Sequence, residues 1–389
     1  MKRLLYIAFK DLSNPYLGGN TKVRAQCRAF AELGMDVELI GRFGSSTVML
    51  QNDRIIQTLS QLQSLMQNTR LRSLVDKHYE VNDLIRYLKN KTYDACYIRY
   101  DFSDPDFIRL LSVVRPCCGK VFMELPTYPY EQENQYGVAS RLRMTLDRIY
   151  RKRLHTYIDQ IITFYGDYAE LFGIPVLTIP NGFDYSSMAL ASSEPEREEI
   201  HVAAVSSMRE WHGYERAIEG LYRYYRNKTA ETRNFVLHLV GGGRLLEYYR
   251  SLVRERNMEQ HVIFDGPLHG EALDKLYERC LLGIDSLARH RSNIHVLSSL
   301  KSREYAAKGI PIINSCKIDV IEADFPYFLQ VPADETPLDW NSIATFFDRC
   351  YPAGCPRQEI GQKIRSYMEV KTGMQATMKP IAERLLQID

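Results

Sequence analysis

Short apolar runs alternate with helical repeats along almost all of this 389-residue chain, and after residue 198 the alternation begins again. Each run is only a few residues long and is bounded by turn residues, so it reads as a strand buried on both faces. In the first half the strands are Leu4–Phe9, Val37–Gly41, Ala95–Tyr100, Val121–Glu124, Gln160–Thr163 and Val176–Ile179. Helices fit between them at Thr21–Leu33, stopped by Gly34, at Val81–Leu88, at Asp106–Val114 and from about Ala139 to Ile158. Ile179-Pro-Asn-Gly-Phe-Asp184 then breaks the pattern with turn chemistry, and the polar stretch Ser192–Glu199 has the composition of a linker. The second series has strands at His201–Val205, Val236–Val240, Val262–Asp265, Leu282–Asp285 and Ile310–Asn314. Its helices are Tyr214–Tyr225, Leu245–Arg256, Glu271–Cys280 and Leu297–Lys308, and beyond Pro337 the pattern is all helical. Strands joined through helices pair in parallel, so the chain is expected to be α/β with parallel, three-layered sheets.

The length exceeds one comfortable core, which implies two domains. A formal charge of +2 provides no global field for nucleic acid, and 45% hydrophobic residues describe a folded chain. The apolar start is interrupted by Lys10 and Asp11 without a small-residue cleavage site, so it reads as a strand, not a leader. No apolar run reaches the ~18 residues that span a bilayer, and a cytoplasmic location is expected. Eight scattered cysteines form no paired CxxC motifs, and no histidine lies at zinc spacing. Free buried thiols and no metal site are expected.

Three stretches carry anion-binding chemistry. Gly18-Gly19-Asn20 lies between the first strand and the helix from Thr21, where small residues and unpaired N–H groups can meet an anion. Ser298 and Ser299 would do the same at the start of the helix ending at Lys308, on which Lys301 and Glu304 share a face. In Ser206-Ser-Met-Arg-Glu-Trp-His-Gly213, Arg209 offers a bidentate guanidinium and His212 either a charged or a neutral ring. Val240-Gly-Gly-Gly243 follows a strand but lacks the GxGxxG spacing and distal acid of a dinucleotide fold, which tells against a dehydrogenase. Glu124 and Thr127 sit at a strand's carboxyl end, where open sheets bind ligands. Around 139–158, Arg141, Arg143, Arg148, Arg151, Lys152 and Arg153 surround the apolar stripe Leu142, Leu146, Ile149 and Leu154. Such a helix suits either an ordinary domain surface or an anionic membrane.

Lys301-Ser-Arg-Glu-Tyr-Ala-Ala-Lys-Gly-Ile-Pro311 resembles the nucleotide-binding helix of the GT-B glycosyltransferases, and the whole chain resembles their retaining family-4 branch. The resemblance implies two Rossmann-like domains facing each other across a cleft, with C-terminal helices. Their expected limits are 1–185, a linker at 186–198, 199–372, and a terminal helix at 373–389 free to cross back to the N-terminal domain. It implies a donor nucleotide-diphosphate sugar held by Gly18, Gly19, Asn20, His212, Gly242, Ser298, Ser299 and Glu304, with Glu304 on the ribose. Arg209 and Lys301 would stabilise the leaving diphosphate, and Glu124 would serve the acceptor side. No cofactor or metal is implied; the partners are a glycan or lipid-linked acceptor and, through the helix near 139–158, the inner face of a membrane.

Departures from the family are specific. His212 stands at a lysine position, Ser207 at an arginine position, and Val296 where a second acid is common; the N-terminal domain lacks the usual histidine. Those gaps keep open a non-catalytic sugar-nucleotide-binding or scaffold protein, which would not turn over donor. A GT-B sugar-nucleotide epimerase would need acids and a histidine that this chain scarcely offers.

Overall fold

The computed structural model describes residues 1–14, 18–61, 69–130, 138–195, 197–229 and 232–386. The chain divides into two compact units, one built from Met1–Gly182 together with Met374–Asp389, the other from Phe183–Gly373.

The first unit contains β1 (Lys2–Asp11), α1 (Gly18–Glu32), β2 (Met35–Phe43), β3 (Ser46–Gln51), β4 (Arg54–Gln61), α2 (Thr69–Leu88) and β5 (Tyr93–Arg99). It continues through α3 (Pro105–Cys117), β6 (Cys118–Glu124), α4 (Val138–Tyr150), β7 (Gln160–Thr163), β8 (Glu170–Leu171) and β9 (Ile174–Thr178). The sheet runs β4-β3-β2-β1-β5-β6-β7-β9-β8. Its centre is parallel because Leu4–Ala8 and Ala95–Ile98 are buried on both faces, as helical crossovers require. The α3 helix starts by rule: Asp104 accepts the Phe107 N–H at 2.7 Å, and Pro105 follows at the first position.

The second unit begins with residues 183–198. There the Ser192 and Ser193 N–H groups donate to Glu278 at 2.9 and 2.8 Å. It then runs through β10 (Glu199–Ser206), α5 (Tyr214–Arg226), β11 (Asn234–Gly241), α6 (Leu246–Glu255), β12 (Val262–Gly266), α7 (Glu271–Arg279) and β13 (Cys280–Ile284). After these come β14 (Val296–Leu297), α8 (Leu300–Ala307), β15 (Ile312–Asn314), β16 (Lys317–Ile318), β17 (Phe328–Gln330), α9 (Trp340–Cys350) and α10 (Arg357–Thr372). Its main sheet, β12-β11-β10-β13-β15-β17, is parallel throughout. On α5, Tyr214, Ala217, Ile218, Leu221 and Tyr224 recur at helical spacing and are all buried against it. The last helix, α11 (Met374–Leu386), returns to the first unit, where Met378, Ile381 and Leu385 join the cluster of Leu4, Tyr6 and Phe30.

Several sequence expectations shift. The first helix begins at Gly18, so Gly18, Gly19 and Asn20 form its opening turn instead of a preceding loop. The helix expected over 139–158 is α4 followed by a tighter 3-10 segment, Arg151–Thr156. Its apolar stripe divides: Leu154 is buried, whereas Leu142 and Ile149 are 59% and 56% exposed. Between β2 and β5 lies an antiparallel hairpin, β3–β4, that the parallel pattern did not foresee.

Candidate active site

In the second unit β10 is flanked by β11 on one side and β13 on the other. The loops after β10 and β13 leave neighbouring strands at this reversal, the place where open α/β sheets take ligands. Here the two loops are tied together. His212 O accepts the Leu287 N–H at 2.8 Å, and Trp211 O accepts the Ala288 N–H at 3.2 Å. Gly213 has φ +63°, and a Cβ there would lie 2.6 Å from the Ala288 Cβ, so only glycine permits the approach. The glycine turn after β11 packs on the same loop: a Cβ on Gly243 would stand 1.8 Å from Ser207 O, while one on Gly242 would meet open space. Gly241 and Gly243 are therefore packing residues, and Gly242 is the one that leaves room for something else.

Arg209 is exposed on this loop, and its main-chain N–H donates to His212 Nδ1 at 2.9 Å. His212 is 4% exposed and stacks on Tyr214 with centroids 5.6 Å apart. Burial, and then the charges of Lys301, Arg289 and Arg209, push its imidazole well below the usual range. The charged form expected as one option is thus disfavoured.

The α8 helix points its N-terminus to the same edge. Ser299 is its cap, accepting the Lys301 N–H at 3.2 Å. The start therefore falls three residues later than expected, because Val296–Leu297 pairs with Lys317–Ile318 instead. Ser298 is correspondingly turned inward: it is 7% exposed and donates its hydroxyl to Asp319 at 2.5 Å. Lys301 is drawn inward as well. Its ammonium lies 2.9 Å from Asp285 Oδ1, 2.6 Å from Asp285 O and 3.2 Å from Ser286 Oγ. Burial alone would raise the Asp285 carboxyl, but Lys301 and hydrogen bonds from Ser299 and Ser302 hold it below the usual carboxylate range. Lys301's charge is offset in place by Asp285, so it braces the β13–α8 junction and is no free clamp. Glu304 is half-buried, its Oε1 accepting the Tyr277 hydroxyl at 2.9 Å, and burial raises its carboxyl above the ordinary value. Its second oxygen makes no hydrogen bond to a described residue.

Glu124 ends β6 in the first unit and is fully enclosed. It pairs with Arg99 and, at 3.7 Å, with Lys22, while Gln26 Nε2 and the Tyr97 hydroxyl donate to it at 2.6 and 2.8 Å. Burial would raise its carboxyl, but Lys22 and Arg99 outweigh that and hold it low. A carboxylate so fully paired and enclosed has the surroundings of a structural acid at the end of β6. Lys22 is itself pushed down to about 7 by burial, despite Glu124. Asn20 anchors the start of α1, donating to Asp11 O at 2.6 Å and Asn14 O at 2.9 Å.

Asp285 and Tyr277 were missed from sequence. An acid at a strand's carboxyl end was a usable signal for Asp285, but Tyr277 reaches Glu304 only through tertiary packing. Arg289, another residue not singled out, lies with its guanidinium carbon 5.4 Å from the Trp211 ring centroid. Among the described residues, no group of three or more His, Cys, Asp or Glu is placed to hold a metal ion, and no helix is long and apolar enough to cross a membrane. The eight cysteines are free.

No family profile matches the chain, and no curated protein matches its sequence. Solved structures do. The sucrose-phosphate synthase of Thermosynechococcus elongatus superposes with a TM-score of 0.66 at 16% identity, covering 99% of both chains. WaaG, a glycosyltransferase involved in lipopolysaccharide biosynthesis, gives 0.62 at 13% identity, over 99% of this chain and 100% of its own. The catalytic domain of starch synthase IV from Arabidopsis thaliana, bound to ADP and acarbose, gives 0.60 at 12% identity over 98% and 97%. The chain has the GT-B fold of these glycosyltransferases, with two Rossmann-like units.

Proposed function

We propose that this protein is a retaining glycosyltransferase that moves a sugar from a nucleotide-diphosphate donor to a glycan or lipid-linked glycan. The observation that carries the reading is the convergence, at one switch point, of the Arg209–His212 loop, the open position at Gly242 and the α8 helix bearing Glu304. In this reading Glu304 accepts from the ribose hydroxyls. Arg209, His212 and the α8 N-terminus stabilise the diphosphate as charge develops on it, so that basic groups and N–H donors do the work of a metal. Within the first unit, the opening turn of α1 at Gly18, Gly19 and Asn20 is a further candidate for anion contact. The buried Glu124 fits a front-face displacement: the acceptor oxygen bonds to the anomeric carbon, the bond to the phosphate breaks, and the phosphate oxygen takes the acceptor proton. No side-chain base is then needed.

Exposed Leu142 and Ile149 on α4, beside exposed Arg141, Arg148, Lys152 and Arg153, support peripheral docking on an anionic membrane, where a lipid-linked acceptor would be found. The departures at Ser207, His212 and Val296 support a second reading, a protein that binds sugar nucleotides without transferring sugar. Incubating the protein with each nucleotide sugar together with glycan and lipid-linked glycan acceptors, and following release of free nucleotide diphosphate and the appearance of sugar on the acceptor, separates them. Release supports the transferase, whereas binding without release supports the second reading.

A further inference from the structure

We infer that His212 serves the leaving phosphate as a neutral hydrogen-bond donor, through an Nε2–H fixed by the Arg209 main chain, with Arg209 supplying the free positive charge. The inference rests on reading this edge as a diphosphate site and says how that site works without the family's lysine.

The tautomer follows from one hydrogen bond. A main-chain N–H can only donate, so the Arg209 N–H at 2.9 Å makes His212 Nδ1 the acceptor. A neutral imidazole with Nδ1 as acceptor carries its proton on Nε2. That Nε2 has no hydrogen-bond partner among the described residues and is not sealed from solvent. Stacking on Tyr214 and the Leu287 N–H to His212 O hold the ring in place. The result is one fixed donor at the carboxyl edge of the sheet.

Protonating the ring would need Nδ1 to donate toward an N–H that already donates to it, which breaks the contact. The surrounding charges act in the same sense. Arg209 is on the same loop, Arg289 follows β13, and Lys301 comes from α8; Asp285 is occupied with Lys301, and Glu210 with Arg244 at 3.0 Å. The hydroxyl of Tyr214, on α5, is directed to Asp285 O at 3.2 Å. Burial and cations together favour the neutral form. With Lys301 held in place against Asp285, Arg209 is the exposed guanidinium of this loop. A lysine at 212 would bring a second charge but leave the Arg209 N–H without its acceptor.

The test uses full-length protein labelled with 15N-histidine; the nine ring systems are read by long-range proton–nitrogen correlation, with His212 assigned by its loss in H212Q. The expected pattern is protonated Nε2 and bare Nδ1, unchanged from about pH 8 to about pH 5.5. A ring protonated on both nitrogens, or one titrating near its ordinary value of about 6.5, overturns the proposal. Inorganic pyrophosphate then tests the donor role without any nucleotide. Its affinity should fall about tenfold in both R209A and H212A, with H212Q recovering most of the latter loss. Equal loss in H212A and H212Q overturns the donor role, as does a recovery in H212K that exceeds H212Q. No pyrophosphate binding to the wild-type protein, with the nitrogen pattern as expected, overturns the diphosphate reading and the proposal with it.

Discussion

Lys301 and Asp285 form an ion pair at the β13–α8 junction, with the ammonium 2.9 Å from a fully buried carboxylate. From sequence, a lysine one turn from Glu304 looked like a phosphate clamp, because charge and spacing were all that could be read. The fold places a fully buried carboxylate against it, and Asp285 is brought there by a strand that sequence spacing cannot position. Replacing Lys301 by Met should leave Asp285 charged and uncompensated and destabilise the protein by about 3–5 kcal/mol, measured by urea denaturation. A double variant with Asp285→Asn should regain part of that loss; unchanged stability in the single variant would contradict the bracing role. Glu304 differs, since it is half-buried with an oxygen to spare. Glu304→Ala should weaken nucleotide binding by roughly 1.5–3 kcal/mol with little change in folding, as read by calorimetric titration. His212 was legible as a departure from the family, but not its tautomer, because a main-chain donor three residues away fixes that.

Among the elements, the long, strongly patterned ones were readable. The central strands, α5 and the all-helical end beyond Pro337 stand where apolar spacing puts them. The β3–β4 hairpin was not, because its two-residue turn is Asn52-Asp53, both at positive φ, without the glycine that marks such turns. The start of α8 lies later than the apolar pattern implies, because Val296–Leu297 continues that pattern but is drawn into pairing with β16. Between α1 and β6, Lys22 provides a pH test. Native Lys22 ionises at about 7, whereas in the unfolded chain a lysine ionises near 10.4. Across that window the unfolded state binds the extra proton, so stability should rise with pH by up to about 1.4 kcal/mol per unit. Denaturation at several pH values should show the rise in the wild type and its absence in Lys22→Met; parallel profiles would contradict it. At the glycine turn, Gly243→Ala should destabilise the second unit by forcing Ser207 away, whereas Gly242→Ala should fold normally and weaken nucleotide binding.

At the scale of the whole molecule, the first unit is assembled from both ends of the chain, with α11 closing a core begun by β1. Met374, Met378, Ile381, Ala382 and Leu385 are buried there, and burying each large side chain contributes about 1.5–3 kcal/mol. Removing residues 374–389 should therefore cost much of a typical 5–15 kcal/mol domain stability and make the first unit the earlier target of limited proteolysis. Both α/β halves were legible because burial on both faces leaves an unmistakable apolar signature, while the polar partners that define the site come from residues far apart in sequence. The central claim is that the edge formed by Arg209, His212, Gly242 and Glu304 binds a nucleotide-diphosphate sugar. The most direct measurement is titration of the protein with UDP-, GDP-, ADP- and TDP-sugars, repeated with Glu304→Ala. Saturable binding of one nucleotide class, lost in the variant, is the predicted result; no binding of any by the folded protein, or binding that Glu304→Ala leaves intact, would contradict it.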